Sequence, residues 1–177
     1  MKFRCSIAIA ALLFAAIASA KEIPDAAVVD QDGRPLHFYR DLVAQKVVVV
    51  AFFFTRCVDA CPTIADTLSH LQDALGDRLG RDVSLVSVSL DPENDSPANL
   101  AAWAKGRGVK PGWTLVTGRQ RDLTRIARAF TGDPAKPGLH SVIVYLGNDR
   151  TGEWIRDSGS QSTEHYLDML AKLGRAR

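Results

Sequence analysis

The stretch that decides the fold runs from Lys46 to Pro62 and reads KVVVVAFFFTRCVDACP. Its first nine residues, Lys46–Phe54, are apolar at nearly every position and rich in β-branched and aromatic side chains, which is typical of a strand buried on both faces. Cys57 and Cys61 follow, and the proline after them stands where the first turn of a helix tolerates it. The stretch therefore predicts a central strand of an α/β sheet that delivers two thiols to the beginning of a helix.

Strand and helix signals alternate through the rest of the chain, without a repeat or a low-complexity segment. They first predict a hairpin of Val28-Val29 and Leu36–Phe38 about an Asp-Gly turn, and, after the cysteines, a helix whose inward residues are Ile64, Leu68, Leu71 and Leu75. A strand over Val83–Leu90 follows, then a helix that Ser96-Pro97 opens and that carries Leu100, Trp103 and Ala104, and then a helix whose inward residues are Leu123, Ile126, Ala127 and Phe130. The last predicted elements are strands over Ser141–Leu146 and Gly152–Arg156 and a helix whose inward residues are Tyr166, Met169, Leu170 and Leu173. This order places helices on both faces of a central mixed sheet, with an N-terminal β-hairpin extension. We predict a three-layer α/β fold of the thioredoxin-like type, because the cysteines stand where the first long strand meets its helix.

The N-terminal segment Met1–Ala20 has the form of a removable signal peptide. Lys2 and Arg4 precede an apolar run, and Ala18-Ser19-Ala20 has the small-x-small form of a cleavage site. The run of about 12 residues is shorter than a membrane span of ~20, although an uncleaved leader could act as a loose tether. We therefore predict a signal peptide over residues 1–20, a thioredoxin-like domain over residues 21–177 and export to a bacterial periplasm. Cys5, inside the leader, is interpreted as an apolar filler.

The charge balance excludes some classes of partner. The chain has 22 Lys and Arg against 20 Asp and Glu, and Lys2 and Arg4 lie in the predicted leader, so the remaining 157 of the 177 residues are formally neutral. A neutral chain indicates that the protein has no nucleic-acid partner. We expect it to contact a membrane only through a recipient protein or an uncleaved leader. We expect a monomer.

Two cysteines remain in the predicted exported part, where the compartment is oxidising. A structural disulfide between Cys57 and Cys61 is the simplest interpretation, but so short a loop constrains the unfolded chain little, so the crosslink stabilises weakly. A bond kept for its chemistry is the better hypothesis. At the beginning of a helix the two sulfurs can either bond to each other or converge on one metal ion, and the helix N-terminus together with Arg56 favours thiolates.

A metal site on these thiols would need a further ligand. Three of the four histidines stand in polar contexts and are predicted at the surface, namely His37, His70 and His165. His140 differs, because it directly precedes a buried strand whose beginning lies beside the cysteines in a thioredoxin-like sheet. Two thiolates and an imidazole suit Cu(I) and can also hold Cu(II). From the residues alone, His140 is one possible ligand and a disulfide without metal is an alternative.

Four segments then match a known family in order: Phe53–Pro62, Val86–Pro97, Leu115–Gly118 and His140–Leu146. They resemble the Sco/SenC copper-binding proteins, which serve assembly of the copper sites of cytochrome c oxidase. The resemblance implies a thioredoxin-like fold, copper held by Cys57, Cys61 and His140, and a reversible disulfide between the two cysteines. The sequence departs from the family pattern at Val58, where a proline is usual, and at Leu139, where an aspartate is usual. Neither change removes a ligand, and both leave the preference for Cu(I) or Cu(II) open.

The resemblance implies a copper chaperone that passes copper to a copper-accepting oxidase subunit, with other periplasmic copper chaperones or thioredoxin-like reductants as further partners. The enzyme-class alternative is a thiol-disulfide oxidoreductase, in which the more exposed Cys57 attacks a target disulfide and Cys61 resolves it. A peroxidase of the peroxiredoxin type fits less well, because Thr55-Arg56-Cys57 lacks the Pro-x₃-Thr-x₂-Cys spacing. An inert structural disulfide is the last alternative. Three nearby acids could suggest a hard-metal site, but solvated-loop and helix-capping roles are expected for Asp91, Glu93 and Asp95.

Overall fold

A computed structural model describes residues 22–58, 61–132 and 142–175. Its elements in chain order are β1 (Ala27–Asp30), β2 (Pro35–His37), a π-helical turn (Phe38–Val43), β3 (Val47–Phe53), α1 (Cys61–Leu75), a 3₁₀ turn (Gly76–Arg78), β4 (Val83–Ser89), α2 (Pro97–Gly106), β5 (Trp113–Gly118), α3 (Gln120–Thr131), β6 (Ile143–Asn148), β7 (Glu153–Ser158) and α4 (Thr163–Arg175). The predicted helices and strands are confirmed, with ends displaced by one or two residues. The predicted leader lies outside the described residues.

The strands of the described residues form one mixed sheet in the order β2-β1-β5-β4-β3-β6-β7. β3, β4 and β5 are parallel to one another, whereas β6 lies antiparallel to β3 and β1 lies antiparallel to β5. β3 is flanked on both sides, and all its residues except the partly exposed Phe52 are buried. The prediction of a strand buried on both faces is confirmed.

Alternation along β3 divides the core into two layers, since successive side chains point to opposite faces of a strand. Val47 and Val49 belong to a cluster that includes residues of α1, α2 and α4. Val48 and Val50 belong to a second cluster that includes residues of α3 and the π-helical turn. Helices therefore cover both faces of the sheet, as the sequence predicts for a three-layer thioredoxin-like fold.

The strand β5 was not among the predicted elements. The predicted order placed one helix directly after another, whereas Trp113–Gly118 pairs with β4 on one side and β1 on the other. The segment is only six residues long and follows Pro111-Gly112, so its local signal is weak. Partners that are distant in sequence decide its conformation. Through β5 the N-terminal hairpin joins the main sheet.

The ends of the helices follow local sequence. Ser96 caps α2 by accepting the N–H of Asn99 at 3.2 Å, and Pro97 occupies the first turn, as predicted. Gly132 ends α3 in the left-handed conformation, with φ of 70°. None of the helices in the described ranges combines the length and the apolar character that crossing a bilayer requires.

Candidate metal centre

The turn that follows β3 carries the first cysteine. The N–H of Cys57 donates to the carbonyl of Phe54 at 3.1 Å, which closes this turn, and α1 then begins at Cys61. The two cysteines form a disulfide, with their Cα atoms 5.7 Å apart. The sulfurs therefore converge at the beginning of the helix, as predicted, although Cys57 precedes the helix instead of lying on its first turn.

The backbone N–H of Cys61 points at the sulfur of Cys57, with 3.3 Å between the two atoms. An N–H in the first turn of a helix has no acceptor within the helix and lies at the positive end of the helix dipole. After reduction of the disulfide, the same N–H would stabilise negative charge on the Cys57 sulfur. The geometry therefore favours Cys57 as the thiolate of the pair.

The two cysteines differ in exposure. Cys61 is 9% exposed and belongs to the core cluster that also contains Ile64 of α1. Cys57 is half-buried and packs against the outside of that cluster. The next residue, Val58, is 83% exposed. A reagent or partner can thus reach the Cys57 side of the pair, in agreement with the prediction that this cysteine is the more exposed one.

A buried carboxylate holds the turn before Cys57. Asp95 is 0% exposed, and its oxygens accept the N–H of Thr55 at 3.1 Å and the hydroxyl groups of both Thr55 and Ser89. Each of these donors compensates part of the loss of water around the charge. Asp95 therefore connects the turn after β3 to the end of β4. The solvated-loop role that the sequence suggested for Asp95 is wrong.

A second contact between the same two loops lies nearer the surface. Arg56 Nη2 is 3.3 Å from Asp91 Oδ2, and Asn94 Nδ2 donates to the other oxygen of Asp91 at 2.8 Å. Because the Arg56 side chain is 66% exposed, this ion pair contributes little to stability. It does balance the charge of Arg56, so the stabilisation of a thiolate on Cys57 comes mainly from the beginning of α1.

The acidic residues of this loop do not form a hard-metal site. The carboxylates of Asp91 and Asp95 are used by the contacts just described, and the described residues contain no group of three or more His, Cys, Asp or Glu arranged to hold a metal ion. The donors that suit a metal here are the two sulfurs, which would need a third ligand from elsewhere.

The predicted third ligand, His140, lies outside the described residues, as do its neighbours Leu139 and Ser141. The strand that follows is described: β6 runs antiparallel to β3, with Val144 opposite Ala51. The beginning of β6 therefore lies at the end of the sheet where β3 leads to the cysteines. The other three histidines have exposed side chains, as predicted: His37 (48%), His70 on α1, and His165 (43%), whose Nε2 lies 2.5 Å from Asp157 Oδ2.

The polar network around Asp95 was not predicted, although the sequence carries a signal for it. Ser89 ends β4 directly opposite Phe53 at the end of β3 in the parallel register, and Thr55 follows two residues later. Because parallel strands end at the same edge of a sheet, polar residues just after each end lie close together. Thr55, Ser89 and Asp95 could therefore have been grouped once β3 and β4 were taken as neighbours.

Known proteins with similar sequences cover most of this chain. Residues 18–164 match the SCO1/SenC family. Protein sco1 of Schizosaccharomyces pombe is 29% identical over 133 residues, which are 69% of this chain and 49% of that protein. The SCO1 protein homolog of Bacillus subtilis is 28% identical over 156 residues, 83% of this chain and 78% of that protein. The chain thus spans about half the length of the first relative and most of the second.

Solved structures have the same fold. A SCO1/SenC family lipoprotein from Bacillus anthracis superposes with a TM-score of 0.73 at 27% identity, covering 87% of this chain and 95% of that one. Yeast Sco1, solved with copper bound, gives 0.69 at 20% identity, covering 86% and 91%. BsSco, described as having a disulfide switch and as a member of the Sco family of cytochrome c oxidase assembly proteins, gives 0.69 at 23% identity, covering 85% and 92%. With a family match over 147 of its 177 residues and the same thioredoxin-like fold, this chain belongs to the SCO1/SenC family.

Proposed function

We propose that this chain binds copper through Cys57 and Cys61, with His140 as the third ligand, and delivers it to a subunit of cytochrome c oxidase during assembly. The observation that carries the proposal is the convergence of the two sulfurs where α1 begins. Two thiolates so placed are soft donors that suit Cu(I), and an added imidazole allows Cu(II). The copper-bound yeast Sco1 supports the metal, and the description of BsSco supports oxidase assembly as the setting.

The cysteine pair would work in two states. In the disulfide state neither sulfur is a thiolate, so copper has no sulfur ligand. Two electrons and two protons from a dithiol reductant convert the disulfide into two thiols, and the reductant leaves as its own disulfide. Copper then replaces the thiol protons, and a thioredoxin-like partner that controls this reduction would control loading.

We also propose that the chain acts outside the cytoplasm, in a bacterial periplasm, after removal of residues 1–20. The support is the sequence of the leader: two basic residues, an apolar run and Ala18-Ser19-Ala20. The mass of the chain recovered from the periplasmic fraction tests the proposal, because cleavage after Ala20 leaves Lys21 as the first residue. Recovery of the chain only from the cytoplasmic fraction would contradict it.

An anaerobic titration of the reduced full chain with Cu(I) and Cu(II) tests the metal site. We expect one copper per chain, and X-ray absorption should count two sulfur ligands and at least one nitrogen. His140→Ala should weaken binding by at least about tenfold, as loss of one ligand of a small set implies. His70→Ala is the matched control, because this exposed histidine on α1 should leave affinity unchanged. Equal affinities for both variants would exclude the three-ligand site.

The disulfide favours a second candidate function, a thiol-disulfide oxidoreductase. The half-buried Cys57 would attack a target disulfide, and the buried Cys61 would then displace the target from the mixed disulfide. His140→Ala separates the two functions, because an oxidoreductase that uses only the cysteines keeps its reductase activity in this variant. A chain that reduces a target disulfide but binds no copper would favour the oxidoreductase.

A further inference from the structure

A concave site lies at the other end of the sheet from the cysteines. It is a cavity of about 500 Å³ lined by the beginnings of β3 and β4, the turn between β6 and β7, and the end of α4. Cys57 follows the opposite end of β3, and a strand of seven residues at about 3.3 Å per residue separates the two ends by ~20 Å. The cavity is therefore distinct from the cysteine site.

The wall of this cavity is strongly basic. Five cationic side chains from separate turns and element ends line it, namely Lys46, Arg78, Arg81, Arg150 and Arg175. One carboxylate, Asp82, lies among them, with an oxygen 3.0 Å from Arg81 Nε and another 3.8 Å from Arg78 Nε. Five cations against one carboxylate leave a net excess of four positive charges on the wall, and three of the cations, Lys46, Arg150 and Arg175, have no acidic partner lining the cavity.

The other three cations of the wall are not neutralised by a carboxylate among the described residues. Lys46 Nζ donates to the backbone carbonyl of Asp41, and Arg175 Nε donates to the carbonyl of Ala171 at 3.0 Å, so both keep their full charge. Arg150 is exposed, and its side chain has neither an ion pair nor a hydrogen bond within the part of the chain that the structure describes. The neighbouring Asp149 accepts hydrogen bonds from Gln45 and Tyr39, and no cation among the described residues pairs with it.

We propose that this cavity binds a phosphate-bearing anion. The planar guanidinium group presents paired N–H donors that match phosphate oxygens. Phosphate groups are recognised where several arginines line one cavity, as they do here. A cavity of about 500 Å³ is in the range that encloses a small organic ligand, so the anion is an organic phosphate or the headgroup of an anionic phospholipid. The formal neutrality of the chain without its leader hides this local excess of charge, because the compensating acids lie elsewhere on the surface.

Two binding measurements on the full chain distinguish the sources. Calorimetric titration with inorganic phosphate and pyrophosphate detects a free anion, and co-sedimentation with phosphatidylglycerol vesicles, against phosphatidylcholine vesicles, detects a headgroup. The variant Arg81→Ala/Arg150→Ala should weaken either kind of binding by at least about tenfold, since each lost guanidinium removes a charge-assisted hydrogen bond. Arg121→Ala/Lys105→Ala removes two charges from exposed residues outside this cavity and is the matched control.

Binding of phosphate or pyrophosphate that only the cavity variant loses would assign a free anion to the site. Selective binding to phosphatidylglycerol vesicles alone, lost in the same variant and kept in the control, would assign a lipid headgroup. Absence of binding in both measurements, or an equal loss in the cavity and control variants, would overturn the proposal. Unfolding curves of both variants establish that each is folded.

Discussion

The carboxylate of Asp95 accepts hydrogen bonds from both the backbone N–H and the side-chain hydroxyl of Thr55. Thr55 lies two residues before Cys57, and the same carboxylate is bound by Ser89 at the end of β4. The cysteine turn therefore depends on a residue of a different loop, forty positions away in the sequence. These hydrogen bonds hold the turn after β3 and so set the position of the first sulfur.

Replacement of Asp95 by alanine should strongly destabilise the protein. The change leaves the N–H of Thr55 and two hydroxyl groups without their acceptor in a buried place, which costs about 3 kcal/mol or more of the free energy of unfolding. Urea unfolding of the oxidised protein measures this loss. Glu93→Ala is the matched control, because it removes the same charge from an exposed side chain of the same loop and should change stability by less than about 0.5 kcal/mol. Similar losses for both variants would mean that the Asp95 network does not stabilise the fold.

Much of the fold could be predicted from the sequence because several of its signals are local. The apolar run that became β3 and the stripe of α3 each specify their own element, and Ser96-Pro97 and Gly132 mark helix ends by the conformation that they favour. The strand β5 has no comparable local signal. Its conformation is decided by pairing with β1 and β4 on either side, and β1 is distant from it in sequence, so local patterns do not predict this pairing.

The candidate site divides in the same way. The positions of Cys57 and Cys61 at i and i+4, where a buried strand meets a helix, were enough to predict that their sulfurs converge, although Cys57 precedes the helix. The burial of Asp95 was not predictable from composition, since aspartate is rarely fully buried unless it is paired. The hydrogen-bond donors that satisfy its carboxylate, Thr55 and Ser89, belong to two other segments of the chain. The role of His140 rests on the family resemblance and stays a prediction.

In the reduced protein, Cys57 should react with iodoacetamide faster than Cys61, by at least about tenfold, because thiolate character and access together control alkylation. Cys57 is half-buried and faces the N–H of Cys61, whereas the Cys61 side chain is in the core. Mass spectrometry of peptides after timed alkylation measures the two rates. In urea the rates should approach each other, which is the internal control. Earlier modification of Cys61 in the folded protein would show that it is the accessible thiol.

Gly147→Ala should destabilise the sheet although it adds a single methyl group. Gly147 pairs with Trp154 across β6 and β7, and a Cβ at this position would fall on the Trp154 ring. Trp154 also packs edge-on against Phe130, with ring centroids 5.2 Å apart, so it cannot move aside freely. Overpacking of this kind costs about 1–3 kcal/mol. Thermal or urea unfolding measures the change.

The matched control for this substitution is Gly106→Ala at the end of α2. A Cβ there meets no atom within 4 Å, and the residue is helical, so alanine should be neutral or slightly stabilising. A double-mutant cycle with Trp154→Ala adds a second check, because Gly147→Ala should lose most of its effect once the ring is absent. Persistence of the full loss in that background would assign it to the backbone of β6 and not to the ring.

The folded protein should lose stability in alkaline solution partly through Tyr166. Burial raises the pKa of this phenol, the charge of Asp157 adds to the rise, and a hydrogen bond from the N–H of Gln161 partly offsets it. Because the folded pKa lies above the unfolded value of about 10, the contribution of the neutral phenol is complete below that pH. As the pH rises above it, ionisation favours the unfolded chain and stability falls by up to about 1.4 kcal/mol per pH unit.

Tyr166→Phe isolates this contribution. At neutral pH the variant loses the hydrogen bond that the phenol donates to the carbonyl of Ser158, so it should be less stable than the wild type by about 1 kcal/mol. Above pH 10 the wild type falls more steeply, because phenylalanine cannot ionise, and the two unfolding free energies should converge. The pKa of Tyr39 is also raised, by burial and then by its hydrogen bond to Asp149, so adding Tyr39→Phe should flatten the profile further. Urea unfolding between pH 7 and about pH 11 measures the free energy of unfolding of all three proteins. Parallel pH profiles for the wild type and Tyr166→Phe would show that Tyr166 ionises equally in the folded and unfolded chains.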